Sequence, residues 1–395
     1  MIERNLYLKK LISFKDKKLI KVITGIRRCG KSTLLKIFQD YLLLNNVEDA
    51  QIISINFENP DFEDLKDYKN LYNHIEKKLV KNKKNYVFLD EIQSVREYQK
   101  AVDGLYIKEN IDLYITGSNA YFLSGELATL LSGRYVEIEM LPLSFSEYLS
   151  ALPEKTDLPE KYRNYLVKSS FPCTLELQDE TQIRTYLDGI YNTVILKDVV
   201  ARKNISDVHI LESVVRYMFD NIANITSVKK ISDALTSAGR KISNHTVENY
   251  LSALTDSFIL YKSGRYDVKG KQYLQTNEKY YLVDIGLRYF LLGSKKADMG
   301  RILENVVYLE LLRRGYEVYV GKVGTLEVDF VAVKNGDVEY YQVAQSVQQL
   351  ETLERELKPL DSIKDHNPKY LLTLDVEPPI SHKGIKQIYV LDWLI

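Results

Sequence analysis

Cysteine is nearly missing: Cys29 and Cys173 are the only two in a chain of 395 residues. A disulfide framework is not expected, and a reducing cytoplasm is the expected compartment. Long apolar runs are missing as well. No stretch approaches the roughly 18 residues that read as a membrane span, so no membrane partner is expected. The opening Met1-Ile2-Glu3-Arg4-Asn5 does not have the pattern of a secretory leader. An excess of one charge is absent too, with 54 Lys+Arg against 54 Asp+Glu. Any nucleic-acid surface must therefore be a local patch. What the chain does have is 45% hydrophobic residues, enough at this length for sizeable cores in two or three domains.

One stretch organises the rest. Leu19 to Thr24 is an apolar run with the look of a buried strand, and it leads into Gly25-Ile26-Arg27-Arg28-Cys29-Gly30-Lys31-Ser32-Thr33. Every fixed position of the phosphate-loop pattern is filled, and a helical pattern follows to about Leu44. Gly25 and Gly30 let the backbone curl so that its N–H groups converge on an anion. The helix opening at Lys31 adds the positive end of its dipole. Lys31 is expected to reach the β- and γ-phosphates of ATP, and Ser32 to ligate Mg²⁺. The loop from Gly25 through Thr33 is the candidate nucleotide contact. Cys29, at a variable position of the loop, is a passive thiol or a redox switch.

The second half of a nucleotide signature follows. Tyr86-Val87-Phe88-Leu89-Asp90-Glu91 is an apolar strand ending in two carboxylates. A parallel strand would deliver Asp90 beside the loop to organise Mg²⁺, with Glu91 placed to polarise a water. An earlier strand, Gln51 to Phe57, ends at Glu58-Asn59-Pro60, where Asn56 and Glu58 either face the nucleotide or cap the next turn. The strand from Ile111 ends in Thr116-Gly117-Ser118-Asn119. Ser118 and Asn119 either touch the γ-phosphate and the attacking water or cap a helix. Arg134, after Gly133, either stabilises transition-state charge in its own or a neighbouring subunit, or forms a surface ion pair. Pro142 breaks a strand, and Ser144 with Glu147 reads as a capping box closing the domain.

Arg27 and Arg28 inside the loop, Phe88-Leu89-Asp90-Glu91, Thr116-Gly117-Ser118-Asn119-Ala120, Ser132-Gly133-Arg134 and Leu141-Pro142-Leu143-Ser144-Phe145 occur together in this order. This set resembles a prokaryotic group of AAA-type ATPases that carry a C-terminal domain of unknown function. The resemblance implies an AAA-like core with Lys31, Ser32, Asp90 and Glu91 in the roles above.

Beyond the proline-bearing linker Ala151 to Pro159, residues 160–204 read as helices, with Tyr186, Leu187, Ile190, Val194, Ile195 and Val199 at helical spacing up to Lys203. Residues 205–290 have the rhythm of a winged helix. Its third helix, capped by Ser243, offers Asn244, His245, Thr246 and Asn249, and Phe258 to Tyr266 would begin the wing. Lys229, Lys230, Arg240, Lys241, Lys262 and Arg265 surround it, diluted by Glu248 and Asp256. Contact with double-stranded DNA and service as a lid or protein-contact module are both left open. From Gly300 a helix stopped by Gly315 precedes three strands. This last region, 298–395, is similar to the restriction-endonuclease-like core. That similarity implies a Mg²⁺ site at Glu304, Asp329 and Gln342 and a water-activating lysine at position 344. Here that position holds Ala344, and Gln342 is neutral, so the site reads as degraded.

The expectation is a multi-domain α/β chain: a parallel-sheet ATPase over 1–152, a helical linker or lid, a winged helix and a small α/β C-terminal domain. The expected activity is Mg²⁺-dependent ATP hydrolysis whose nucleotide state moves the later domains. The alternatives are an ATP-gated DNA-binding regulator with slow turnover and an ATP-dependent nuclease. A protein partner and a homo-oligomer are further candidates.

Overall fold

The computed structural model describes residues 2–119, 131, 133–154, 156–193, 199–200, 205, 207–293 and 298–395. Met1, Ala120, Ser132, Val194, Ile195 and Lys203, named above, lie outside that set. The chain forms two compact units, Met1–Pro142 with Asp256–Phe258, and Leu143–Thr255 with Ile259–Ile395.

The first unit is a five-stranded sheet built from β1 (Ile20–Thr24), β2 (Ile52–Asn56), β3 (Asn85–Asp90), β4 (Ile111–Thr116) and β5 (Tyr135–Glu139). The order is β2-β3-β4-β1-β5, and every pairing is parallel. Its helices are α1 (Asn5–Phe14), α2 (Lys31–Leu44), α3 (Tyr68–Lys78) and α4 (Tyr98–Ile107). All residues of β1, β3 and β4 are buried, as both faces of a parallel sheet must be when helices cover them. Alternation sorts the side chains. Val87 and Leu89 join Val22, Ile55 and Ile115 in one core cluster. On the opposite face Phe88 stacks on Tyr114 at 4.8 Å between ring centroids, and Phe38 of α2 lies 5.0 Å from Tyr114.

A buried ion pair crosses that second face. Lys21 of β1 donates to Asp112 of β4, and both side chains are wholly shielded from solvent. Burial lowers the Lys21 pKa, against the pull of Asp112. The network is otherwise satisfied. Lys21 also donates to the Lys17 carbonyl at 2.9 Å, while Asp112 accepts from the Tyr114 hydroxyl at 2.8 Å and the Asp16 amide at 2.9 Å. It thereby fastens the turn before β1 to the sheet.

The second unit opens with α5 (Phe145–Ser150), α6 (Leu158–Lys168) and α7 (Glu180–Ile190). The predicted capping box forms, with Ser144 accepting from the Glu147 amide and Glu147 from the Ser144 amide. The compact second unit starts at Leu143. The reason is aromatic packing. Phe145 lies 5.4 Å from Tyr162 and Tyr148 lies 5.4 Å from Tyr165, so α5 buries its apolar face on α6. Three helices follow, α8 (Val208–Asp220), α9 (Val228–Ser237) and α10 (Asn244–Asp256), then β6 (Leu260–Asp267), β7 (Gln272–Leu282), α11 (Ile285–Leu292) and α12 (Met299–Arg313).

The β6–β7 hairpin is not a free wing. β6 pairs in parallel with β8 (Glu317–Val323) through Arg265, Tyr266 and Asp267. The hairpin thus forms one edge of an eight-stranded mixed sheet that continues through β9 (Leu326–Lys334), β10 (Asp337–Ala344), β11 (Lys369–Thr373) and β13 (Ile385–Tyr389) to β12 (Ile380–His382). The expected division between 205–290 and 298–395 is therefore bridged by backbone hydrogen bonds. The helices α13 (Leu350–Asp361) and α14 (Val390–Leu394) complete the unit. α12 ends where Gly315 takes a φ of 85°, as predicted, but it is buried on nearly every side, including Glu304, Asn305 and Glu310. Among the described residues no helix is long and apolar enough to cross a membrane.

Replacing Asp112 with Ala removes the acceptor shared by Lys21, Tyr114 and the Asp16 amide and strands a buried ammonium. We expect a loss of about 3–5 kcal/mol. Urea unfolding monitored by circular dichroism measures it, and a change below about 1 kcal/mol would show that the pair is dispensable.

Candidate phosphate-binding site

The parallel register brings three strand ends to one edge of the first sheet. Asn56 of β2 lies beside Asp90 of β3, and Thr116 of β4 beside Ile23 of β1. In an open α/β sheet the carboxyl edge is where ligands are held. From that edge β1 runs into the glycine loop.

The loop is tightly bound from below. Gly25 has a φ of 135°, and a Cβ there would fall 2.2 Å from the Met140 carbonyl oxygen, so only glycine fits. Gly30 has a φ of 105°, and Arg28, exposed, takes a φ of 69°. Ile26 and Cys29 point into the core with no exposure. Burial pushes the Cys29 thiol up, which disfavours the reactive thiolate. Ser32 and Thr33 are exposed at the start of α2, while Lys31 is buried. The Lys31 ammonium folds back to the Gly25 carbonyl at 3.0 Å and the Ile26 carbonyl at 3.2 Å, and lies 3.8 Å from Glu91.

Asp90 and Glu91 sit on the same ledge. Asp90 accepts from the Thr116 hydroxyl at 2.5 Å and from the Asn56 amide at 3.1 Å, and the Ser32 hydroxyl bonds to it from α2. Burial pushes the Asp90 carboxyl up, and the neighbouring Glu91 charge adds to this, against the Ser32 and Thr116 hydrogen bonds and Lys31. Glu91 leaves the strand at a φ of 57°, and its amide donates to the same Thr116 hydroxyl at 2.8 Å. Its carboxylate accepts from Gln93, which also reaches Ser118 at 3.4 Å. Arg27 lies 3.5 Å from Ser118. Ser118 and Asn119 are both buried at this edge. Asn56 caps the next turn as well, accepting from the Glu58 amide at 2.8 Å.

Arg134 does not join them. Its carbonyl accepts from the amide of Ile20, the first residue of β1, whereas the loop follows the last. Five residues of strand put about 13 Å between the two ends. The guanidinium pairs with Asp103 at 2.6 Å and is 45% exposed. A catalytic role within its own subunit is thereby corrected to the surface ion pair.

Three side chains of the site were not read from the sequence: Thr116, Gln93 and Arg4. Thr116 stands in the polar strand end that drew attention to Ser118 and Asn119 instead. Arg4, 3% exposed, donates to the Cys29 carbonyl at 2.9 Å and the Leu141 carbonyl at 2.6 Å, bracing the loop against the end of the sheet. A lone arginine before a helix gives no signal of that.

In the second unit the structure does bring Glu304, Asp329 and Gln342 together. Gln342 accepts from the Asp329 amide at 3.3 Å, and Asp329 accepts from the Val343 amide at 2.8 Å. Lys279 of β7, unforeseen, stands among the carboxylates, 2.8 Å from Glu304. Burial alone would lower its pKa, but the charges of Glu304, Asp329 and Glu327 raise it. Burial, with Glu304 beside it, raises that of Asp329.

Residues 17–149 match a family model described as an AAA domain, and residues 159–298 match one described as a domain of unknown function (DUF8612). An uncharacterized protein of Haemophilus influenzae is 43% identical over 399 residues, spanning 100% of this chain and 99% of that one. One from Methanocaldococcus jannaschii is 34% identical over 374 residues, spanning 88% of this chain and 79% of that one. Among solved structures, a Walker-type ATPase of Pyrococcus abyssi aligns with a TM-score of 0.51 at 14% identity, over 74% of this chain and 96% of that one. The likeness is one of fold.

Arg4→Ala should take a donor from the Cys29, Leu141 and Pro142 carbonyls and cost about 2–3 kcal/mol. Thermal denaturation reads the loss, and amide hydrogen exchange should accelerate first at residues 25–30. Uniform acceleration across the first unit would contradict a local brace.

Proposed function

The chain belongs to the family of AAA-type P-loop ATPases that carry a domain of unknown function behind the AAA domain, and we propose that it binds ATP with Mg²⁺ and hydrolyses it to ADP and phosphate. The observation that carries this reading is the convergence of Lys31, Ser32, Asp90 and Glu91 at the mouth of one glycine loop. The donor set fits a hard cation. A hydroxyl and a carboxylate, already hydrogen-bonded to each other, offer oxygen ligands, and Asn56 and Thr116 hold the carboxylate from behind.

In this reading the backbone from Gly25 to Gly30 cradles the phosphates, and Lys31 neutralises the β- and γ-phosphate charge. Ser32 and Asp90 would hold the magnesium ion, which would supply positive charge against the negative charge developing on the phosphates. Glu91, positioned by Gln93 and by the hydrogen bond its backbone N–H donates to the Thr116 hydroxyl, takes the proton of the attacking water. Ser118 and Asn119 line the γ-phosphate side. Cys29 and Cys173 are free thiols, which supports a reducing cytoplasm.

A second reading, an ATP-gated DNA-binding regulator, draws support from α10 and its neighbours. Asn244, His245 and Asn249 are exposed there, as are Lys229, Lys230 and Lys241. Two other cations are committed elsewhere, Arg240 to the His209 carbonyl at 2.9 Å and Lys262 to Glu278 at 2.9 Å. The proposal includes transmission of the nucleotide state to this second unit.

Lys31→Ala should weaken binding of a fluorescent ATP analogue at least tenfold, and unchanged binding and turnover would remove the assignment. Glu91→Gln should keep that binding and lose about 10²–10⁴ in turnover. Wild-type steady-state hydrolysis is then compared with and without duplex DNA, with Glu91→Gln as the blank. Stimulation supports both DNA contact and its coupling to the phosphate site. Turnover indifferent to DNA sinks the second reading and points to a protein partner.

A further inference from the structure

The second unit contains a buried charge cluster that the phosphate site does not use. Lys279 is 3% exposed. Its ammonium lies 2.8 Å from Glu304 on α12, 2.8 Å from Glu327 on β9 and 3.9 Å from Asp329, two residues further along β9. The Tyr281 hydroxyl, on the same face of β7, donates to Glu304 at 2.8 Å. Gln342 of β10 closes the far side, accepting from the Asp329 amide and donating to Glu356 at 2.9 Å.

Three carboxylates held this close in a largely dry place repel one another unless a cation stands between them. Two kinds of cation can do so. A divalent ion would sit about 2.0–2.6 Å from their oxygens. An ammonium sits at hydrogen-bond distance and offers three donors. The distances here are those of the ammonium, and Lys279 fills the point on which the carboxylates converge. Among the described residues no group of three or more His, Cys, Asp or Glu side chains is disposed to hold a metal ion. Gln342 being neutral and position 344 an alanine follow the same logic: with the positive charge supplied by β7, neither a further carboxylate nor a second lysine is called for.

We infer that Lys279 is the resident counter-cation of this site, taking the place a divalent ion would occupy among Glu304, Glu327 and Asp329, so that the second unit assembles its acidic cluster without metal. Divalent ions enter only when the ammonium is taken away. The inference does not depend on ATP hydrolysis by the first unit.

The test uses the full chain without nucleotide and Mn²⁺ as the probe, counted by the loss of the free-ion electron paramagnetic resonance signal. In the wild type, Mn²⁺ uptake should be the same before and after Asp329→Asn. Lys279→Ala should take up one further Mn²⁺, lose it again in the Lys279→Ala, Asp329→Asn double variant, and melt several degrees higher with Mn²⁺ than without. Where Lys279→Ala does not fold, Lys279→Gln is read in the same way, and the wild-type comparison stands by itself. Wild-type Mn²⁺ binding that disappears in Asp329→Asn, or Mn²⁺-dependent nicking of duplex DNA lost in that variant, would overturn the inference, because Lys279 would then accompany a metal rather than replace it. A folded Lys279 variant that gains no Mn²⁺ would overturn it equally.

Discussion

No side chain fits at Gly25. The Met140 carbonyl stands where a Cβ would be, and that close approach sets the start of the loop against the end of β5. Much at this edge depends on it. The loop must turn at once, so Ile26 and Cys29 go down into the core and the next helix starts at Lys31 with its amino end over the sheet. Arg4 tightens the same seam from outside by joining the Cys29 and Leu141 carbonyls. A phosphate cradle needs such rigidity, because donors fixed in advance do not have to be ordered when the anion arrives.

Both units bury a lysine, and the two cases differ instructively. In the first, Lys21 faces one carboxylate, Asp112, whose other hydrogen-bond sites are filled by Tyr114 and the Asp16 amide. That is a closed structural pair fastening a turn to a sheet. In the second, Lys279 faces three carboxylates from two elements, one of them, Glu327, a third exposed. An excess of buried negative charge is costly and needs a reason. Here the lysine supplies the opposite charge that lets the three carboxylates lie together.

How far the sequence could be read depended on the distance between partners. Gly25, Gly30, Lys31 and Ser32 are contiguous, so their joint geometry follows from local backbone rules. Asp90 and Glu91 were legible because a buried parallel strand carries its end to a known edge. Thr116 was passed over although its hydroxyl binds the Asp90 carboxylate and the Glu91 amide, since its importance comes from lying on the strand beside theirs. Arg134 was left open between transition-state charge and a surface ion pair because nothing local fixes which end of the sheet it stands at, and the register of β5 on β1 sets it at the end opposite the loop. The expected wing became a sheet edge because β6 found an unpaired neighbour in β8, more than 50 residues later in the chain.

By itself the sequence determined the α/β class, the phosphate loop, its two carboxylates, the capping box at Ser144 and the glycine stop at Gly315. Each rests on a short-range rule: a φ only glycine adopts readily, a side chain bonding a backbone group three residues on, or an apolar strand with a polar end. Only the tertiary structure decided that Arg4 braces the loop, that Arg134 stands away from it, that the unit boundary falls after Pro142 and that Lys279 occupies the acidic cluster. Those outcomes turn on strand register and on side chains meeting across 25 or more positions of chain. A buried ion pair of that kind leaves no periodicity in the sequence, because its energy depends on which partner the fold delivers.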